Sequence, residues 1–231
     1  MDDTGDADPN TGTLTATTLT GLGMSLEGIT YAMLESVNIA LGSGGDSFTI
    51  ASTHEGETTL EGNAGEDTIN VQTVDGATVV NAGSDNDTIN VGSLAPDAGG
   101  TLNGIGALLT VNGGDGGDTL NVDDTGDAAS NTGTLTATML TGLGLGPDGI
   151  AYETVETLNI DLGSGADVFN VQGTSAVTNL SLNAGDDRIF VSSGGLLDEL
   201  RGTLNLDAGA GRHLLAISDE AATEGDADVL I

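Results

Sequence analysis

Gly113-Gly114-Asp115-Gly116-Gly117-Asp118-Thr119-Leu120-Asn121-Val122 is the stretch from which the fold can be read. Glycines at 113, 114 and 116 tolerate positive φ without a side-chain clash, so the chain can turn a tight corner there. Leu120 and Val122 then alternate with Thr119 and Asn121, the pattern of a half-buried strand. Leu109 and Val111 alternate in the same way on the way in. The unit is therefore a strand, a glycine corner that ends on an aspartate, and a second strand.

The unit recurs along the chain, anchored on Asp46, Asp67, Asp87, Asp118, Asp167 and Asp187, with His213 in a seventh slot. Two residues after the anchor stand Phe48, Ile69, Ile89, Leu120, Phe169, Ile189 and Leu215. Four after it stand Ile50, Val71, Val91, Val122, Val171, Val191 and Ile217. Seven before it stand Ile39, Leu60, Val80, Val111, Ile160, Leu180 and Leu206, and no position in these three sets is polar. Two residues before the six acidic anchors lie Gly44, Gly65, Asp85, Gly116, Gly165 and Gly185. Gly or Asn fills the position four before (Gly42, Asn63, Gly83, Gly114, Gly163, Asn183), so left-handed corners are predicted at both places.

Anchors are separated by 21, 20, 31, 49, 20 and 26 residues. About twenty residues accommodate two strands and two turns, so the pattern predicts an all-β chain folded as a parallel β-solenoid. Like positions of successive coils then form ladders with a ~4.8 Å repeat. The 31-residue interval predicts a loop inserted near Leu94–Gly104. The 49-residue interval predicts one extra coil without an aspartate turn, carried by TGTLTATMLTGLG. Asn70, Asn90, Asn121 and Asn170, three after their anchors, predict an outward amide ladder. Only Gly195–Arg201 has the makings of a helical turn.

A longer repeat overlies the short one. Asp2-Asp3-Thr4-Gly5-Asp6-Ala7 returns as Asp123-Asp124-Thr125-Gly126-Asp127-Ala128, an offset of 121, and the match continues for some fifty residues. One continuous solenoid over 1–231 is expected, with a first unit at 2–122 and a shorter second unit at 123–231.

Thirty-six acidic residues against three arginines and no lysine give a formal charge of −33. Phosphate binding needs clustered basic groups, so nucleic-acid and anionic-membrane partners are disfavoured. There is no cysteine and therefore no disulfide or thiolate site. No apolar run reaches the ~20 residues that span a bilayer, and Met1-Asp2-Asp3-Thr4 lacks the parts of a signal peptide. Stacked anchor aspartates would stand roughly 5 Å apart. Each pair would repel by ~1 kcal/mol in water, or ~3–4 kcal/mol at an effective dielectric of 20, unless cations intervene.

The anchored turn resembles the nonapeptide G-G-x-G-x-D-x-U-x of repeats-in-toxin (haemolysin-type) calcium-binding proteins, U being a large apolar residue. Gly113 to Asn121 fits it at every fixed position, and Gly62-Asn63-Ala64-Gly65-Glu66-Asp67-Thr68-Ile69-Asn70 departs only at the second glycine. The resemblance implies a β-roll with Ca2+ between successive turns. Carboxylates of Asp46, Asp67, Asp87, Asp118, Asp167 and Asp187 and the carbonyls of the turn positions (Gly44, Gly65, Asp85, Gly116, Gly165 and Gly185) would supply the oxygens. That donor set suits a hard cation that takes six to eight oxygens. The pairs 46/67, 67/87 and 167/187 are the best-spaced sites. One such turn per coil allows at most one ion ladder. Asp118 has no evident partner on its C-terminal side, and the turn at Arg212-His213 has lost its acid. The alternative is a calcium-free solenoid whose aspartates cap backbone N–H groups. The separate patch of Asp2, Asp3, Asp6, Asp8, Asp123, Asp124 and Asp127 reads as a solvated charge run.

The expected function is a calcium-binding structural module, a rigid spacer or adhesive stalk of an extracellular or cell-surface bacterial protein. The resemblance extends to repeats of very large bacterial surface and exoproteins. The alternative is a filament subunit that stacks end to end on other copies of itself. No catalytic constellation is expected: His54 and His213 lie in unlike contexts, and the arginines are scattered.

Overall fold

The computed structural model describes residues 1–192 and 194–221. These residues contain no helix, Gly195–Arg201 included; twenty of their strands form two ten-stranded sheets, and Ala184–Gly185 pairs with Ala210–Gly211 in a small third one. The first sheet takes Ser36–Ala40, Glu57–Glu61, Thr78–Ser84 and Leu109–Asp115; the second takes Ser47–Ile50, Thr68–Val71, Thr88–Val91 and Thr119–Asp123. The chain alternates between the sheets, and like strands pair in parallel: Phe48 with Ile69, Ile69 with Ile89, and Ile89 with Leu120. This is the β-solenoid that the anchor pattern predicts.

The apolar ladders meet between the sheets in one continuous core. In the six coils with an acidic anchor, every residue two after, four after and seven before the anchor is buried. The seventh coil departs, since Leu215 and Ile217 are half exposed. Left-handed corners form where the glycine and asparagine spacing places them, for example Asn63 (φ 75°) with Gly65 (φ 111°), and Gly114 (φ 111°) with Gly116 (φ 147°). The corners before Asp46 and Asp167 depart from this expectation, since Gly42, Gly44, Gly163 and Gly165 have no left-handed φ. There glycine is required by space, because a Cβ on Gly165 would lie 2.0 Å from the Ala129 carbonyl oxygen.

The inserted loop near Leu94–Gly104 is present, and it contributes Leu102 and the nearby Ile105 to the core. The extra coil expected from TGTLTATMLTGLG is not. Thr132–Leu135, Met139–Gly142 and Ile150–Glu153 form an antiparallel meander within the first sheet. Its first strand pairs in parallel with Val168–Val171 and its third with Leu109–Asp115. The corresponding meander of the first unit, Thr11–Leu14, Thr18–Gly21 and Ile29–Thr30, lies in the second sheet. Three residues separate the first two strands of each meander, too few for the crossover that parallel pairing needs.

Between the two meanders the chain lays down eight strands, alternating sheets. The even number returns it to the sheet opposite its start, so the second unit is turned over relative to the first. Its pre-anchor strands Thr157–Asp161, Val177–Ser181 and Leu204–Asp207 lie in the second sheet, and Val168–Val171, Arg188–Val191 and Leu214–Ile217 in the first.

Candidate functional site

Each anchor aspartate leaves a tight corner, left-handed at Asp67, Asp87, Asp118 and Asp187, just before a strand whose next side chain but one points into the core. That placement turns the carboxylate inward, against the neighbouring coil. Asp46, Asp67, Asp87, Asp118, Asp167 and Asp187 are all buried. One oxygen of each carboxylate is taken by main chain of the coil before it. Asp67 Oδ1 accepts the Asp46 N–H at 2.7 Å, Asp87 Oδ1 the Asp67 N–H at 2.8 Å, and Asp118 Oδ1 the Asp87 N–H at 2.9 Å. Asp46 itself accepts from Asn10 N–H at 2.8 Å. The ladder does not stop at Asp118, whose N–H donates to Glu156 Oε2 at 2.7 Å. No partner is evident from spacing because Glu156 stands 38 residues on, beyond the meander.

A second ladder runs through Asn131, Asp167, Asp187 and His213. Asp167 Oδ1 accepts from Asn131 N–H at 2.7 Å and Asp187 Oδ1 from Asp167 N–H at 2.7 Å. The anchored turns at 46, 67, 87 and 118 join the first sheet to the second, whereas those at 167 and 187 join the second to the first. The two ladders therefore occupy opposite edges of the solenoid, so the row of aspartate turns is divided into one of four and one of two. At the end of the second, His213 Nδ1 lies 3.1 Å from Asp187 Oδ2, so an imidazole stands where the acid is lost.

The remaining carboxylate oxygens differ along the ladders. Asp46 Oδ2 accepts from Gly42 N–H at 3.2 Å. The Oδ2 atoms of Asp67, Asp87 and Asp118 are buried without a hydrogen-bond partner. Burial pushes Asp67 up to about 7, helped by the charges of Asp87, Asp46 and Asp85. Burial likewise raises Asp87 to about 6, with Asp118, Asp85 and Glu66 adding to it. Asp118 is raised by burial and by Glu156, and Asp167 by burial and then by Asp187 and Asp127. A carboxylate with one N–H and no cation near it is costly to keep charged in such a setting.

The acidic patch of the unit starts is only partly a solvated run. Asp124 is buried, accepts the Leu102 N–H at 3.0 Å and has an unpaired Oδ2. Burial raises it to about 7, with Asp127, Asp167 and Asp123 adding to the effect. Asp2, Asp6 and Asp127 do behave as turn acids, held below the usual range by N–H and hydroxyl or amide donors from Thr4, Asp8, Asn10, Ala129 and Asn131.

The donors near the unpaired oxygens are carboxylates and carbonyls, a set that suits a hard cation. Glycine keeps space against two of them: a Cβ on Gly62 would lie 2.7 Å from Asp67 Oδ2, and one on Gly113 would lie 2.6 Å from Asp118 Oδ2. Among the described residues, no three His, Asp or Glu side chains converge on one ion position. Any ion on a ladder must therefore draw most of its ligands from turn carbonyls.

Outside the ladders, Asn90, Asn121, Asn159, Asn179 and Asn205 each donate to the asparagine of the adjacent coil at 2.7–2.9 Å, starting from Asn70. Asn170 is not part of this amide ladder, since its strand lies in the other sheet and it donates to the Gly133 carbonyl. His54 packs edge-on against the Tyr31 ring, with centroids 6.1 Å apart. Comparisons with protein-family models, with curated proteins and with solved structures give no match.

Proposed function

We propose that this chain is a structural spacer, a rigid solenoid segment of an extracellular or cell-surface bacterial protein, and that its aspartate ladders take up Ca2+. The observation that carries the reading is the row of buried, unpaired Oδ2 atoms on Asp67, Asp87 and Asp118, one per coil. These oxygens, with carbonyls of turn residues such as Gly65, Asp85 and Gly116, would hold the ions. Calcium supplies the positive charge that a buried row of carboxylates in a chain of formal charge −33 otherwise lacks. The motif match in Gly113 to Asn121 supports the same reading, and the uninterrupted apolar and amide ladders support a load-bearing rod.

One carboxylate oxygen per coil makes for weak sites, with dissociation constants of about 10⁻⁴–10⁻³ M, the range of extracellular calcium modules. Calorimetric titration of the chelated chain should give calcium-specific heat in that range. Heat no greater than that of magnesium would oppose the reading. A second reading is favoured by the N–H bonds already made by each Oδ1: the ladders cap backbone without an ion, and protons neutralise them. In that case Asp67 and Asp87 titrate near their raised values whether or not calcium is added, which carboxyl-carbon NMR would follow directly.

A further inference from the structure

The outer faces of the first and last described coils match each other in sheet order and side-chain pattern. Inside the chain, the second unit's meander packs on the coil before it through a junction that can be read residue by residue. Leu109 pairs with Ile150 and Val111 with Tyr152 in one sheet; Leu120 pairs with Leu158 and Val122 with Ile160 in the other. Ile150 and Tyr152 are 0% and 3% exposed there. The 121-residue offset gives Ile29, Tyr31, Val37 and Ile39 as their equivalents in the first unit, and Ile29 is 46% exposed. An apolar cleft lies at this end, lined by Met1, Ile29, Tyr31, Leu34, Val37 and Ile39.

At the opposite end, anchor alignment makes Leu204, Leu206, Leu215 and Ile217 the equivalents of Leu109, Val111, Leu120 and Val122. Leu215 and Ile217 are 48% and 50% exposed. Among the described residues, the terminal strands of the sheets also match in sheet and direction. The second sheet ends on Ile29–Thr30 and Leu204–Asp207, and the first on Ser36–Ala40 and Leu214–Ile217.

We infer that the face carrying Ile29, Tyr31 and Leu34 binds the last described coil of a second copy of this chain, in the register of the internal junction. Leu204 then pairs with Ile29, Leu206 with Tyr31 and Leu215 with Val37. The polar ladder also continues, because Glu35 is the equivalent of Glu156 and can accept from the His213 N–H as Glu156 does from Asp118. One piece stands in the way: Met1 occupies the place of Val122, its carbonyl accepting from Ala40 N–H at 3.0 Å, and must yield to Ile217. A formal charge of −33 on each copy opposes the contact until salt screens it. The register does not depend on whether the ladders bind calcium.

The chain has no cysteine, so the register can be read by cross-linking. Thr110 pairs with Ala151 at the internal junction, which makes Asn205 and Thr30 partners at the proposed one. In 1 M salt, where screening length is about 3 Å, full-length Thr30→Cys mixed with Asn205→Cys should give a disulfide-linked dimer. Asn38→Cys, on the edge of the other sheet, mixed with Asn205→Cys should not. The same outcome is expected with calcium and with chelator. Sedimentation of the unmodified chain should show concentration-dependent association, weakened about tenfold or more by Leu215→Glu. That side chain is already half exposed, so the variant folds, which circular dichroism checks. A monomer at every concentration, association without the Thr30–Asn205 cross-link, or equal cross-linking of the control pair would each overturn the inference.

Discussion

Asp87 takes the Asp67 N–H with one carboxylate oxygen and keeps the other buried and unpaired. Its two obvious substitutions should therefore diverge. Asp87→Ala orphans a buried N–H and should cost about 1–3 kcal/mol. Asp87→Asn keeps the acceptor and removes a poorly solvated charge, so in chelator near pH 8 it should match or exceed the parent in urea unfolding. A penalty for Asn as large as that for Ala would mean that the charge itself stabilises the apo fold. The same burial sets a pH dependence. Asp67, Asp87 and Asp124 have folded values of about 7, 6 and 7, above the unfolded carboxylate value of ~3.9. The folded chain binds more protons than the unfolded one between pH 4 and 7, so stability from these groups is fully present below about pH 4 and is lost as pH rises through 6–7. Apo melting temperature should thus be higher at pH 5 than at pH 8, and Asp67→Asn with Asp87→Asn and Asp124→Asn should flatten the difference. That Asp67 and Asp87 matter was legible from their spacing, whereas Asp124 read as part of a solvated charge run. Their burial, and the use of one oxygen on a neighbour's N–H, was not, since both depend on cross-coil register.

Phe48 and Phe169 stand alone among the aliphatic residues two after their anchors, and the meanders explain them. Gly12 pairs with Phe48 and Gly133 with Phe169, and a Cβ on Gly133 would lie 2.6 Å from the Phe169 ring. Gly133→Ala should overpack this pair and cost about 1–3 kcal/mol, and Phe169→Leu in the same chain should recover part of the loss in thermal unfolding. No recovery would place the strain elsewhere. Here the sequence was half legible. The alternation in TLTATMLT marks strands correctly, but period-two alternation reads the same for parallel and antiparallel neighbours. Direction is set by the three-residue link Thr136-Ala137-Thr138, which carries none of the glycine or asparagine that usually marks a hairpin. Without the meander, the reversal of the second unit could not be foreseen, nor the division of the aspartates between two edges.

At the scale of the molecule, the two ladders place Asp46, Asp67, Asp87 and Asp118 along one edge and Asp167 and Asp187 along the other. Calcium bound only by the folded chain must raise its stability by mass action. Magnesium, which dehydrates reluctantly and demands stricter geometry, should do so poorly. Removing the charge from the first ladder with Asp67→Asn, Asp87→Asn and Asp118→Asn should abolish most of the calcium effect, because the second ladder is short and ends on His213. The most direct test is thermal unfolding of the thoroughly chelated chain, repeated as calcium or magnesium is added to millimolar levels. The melting temperature should climb with calcium, barely move with magnesium and scarcely respond in the triple variant; a melting curve unchanged by calcium would rule out ion uptake by the ladders.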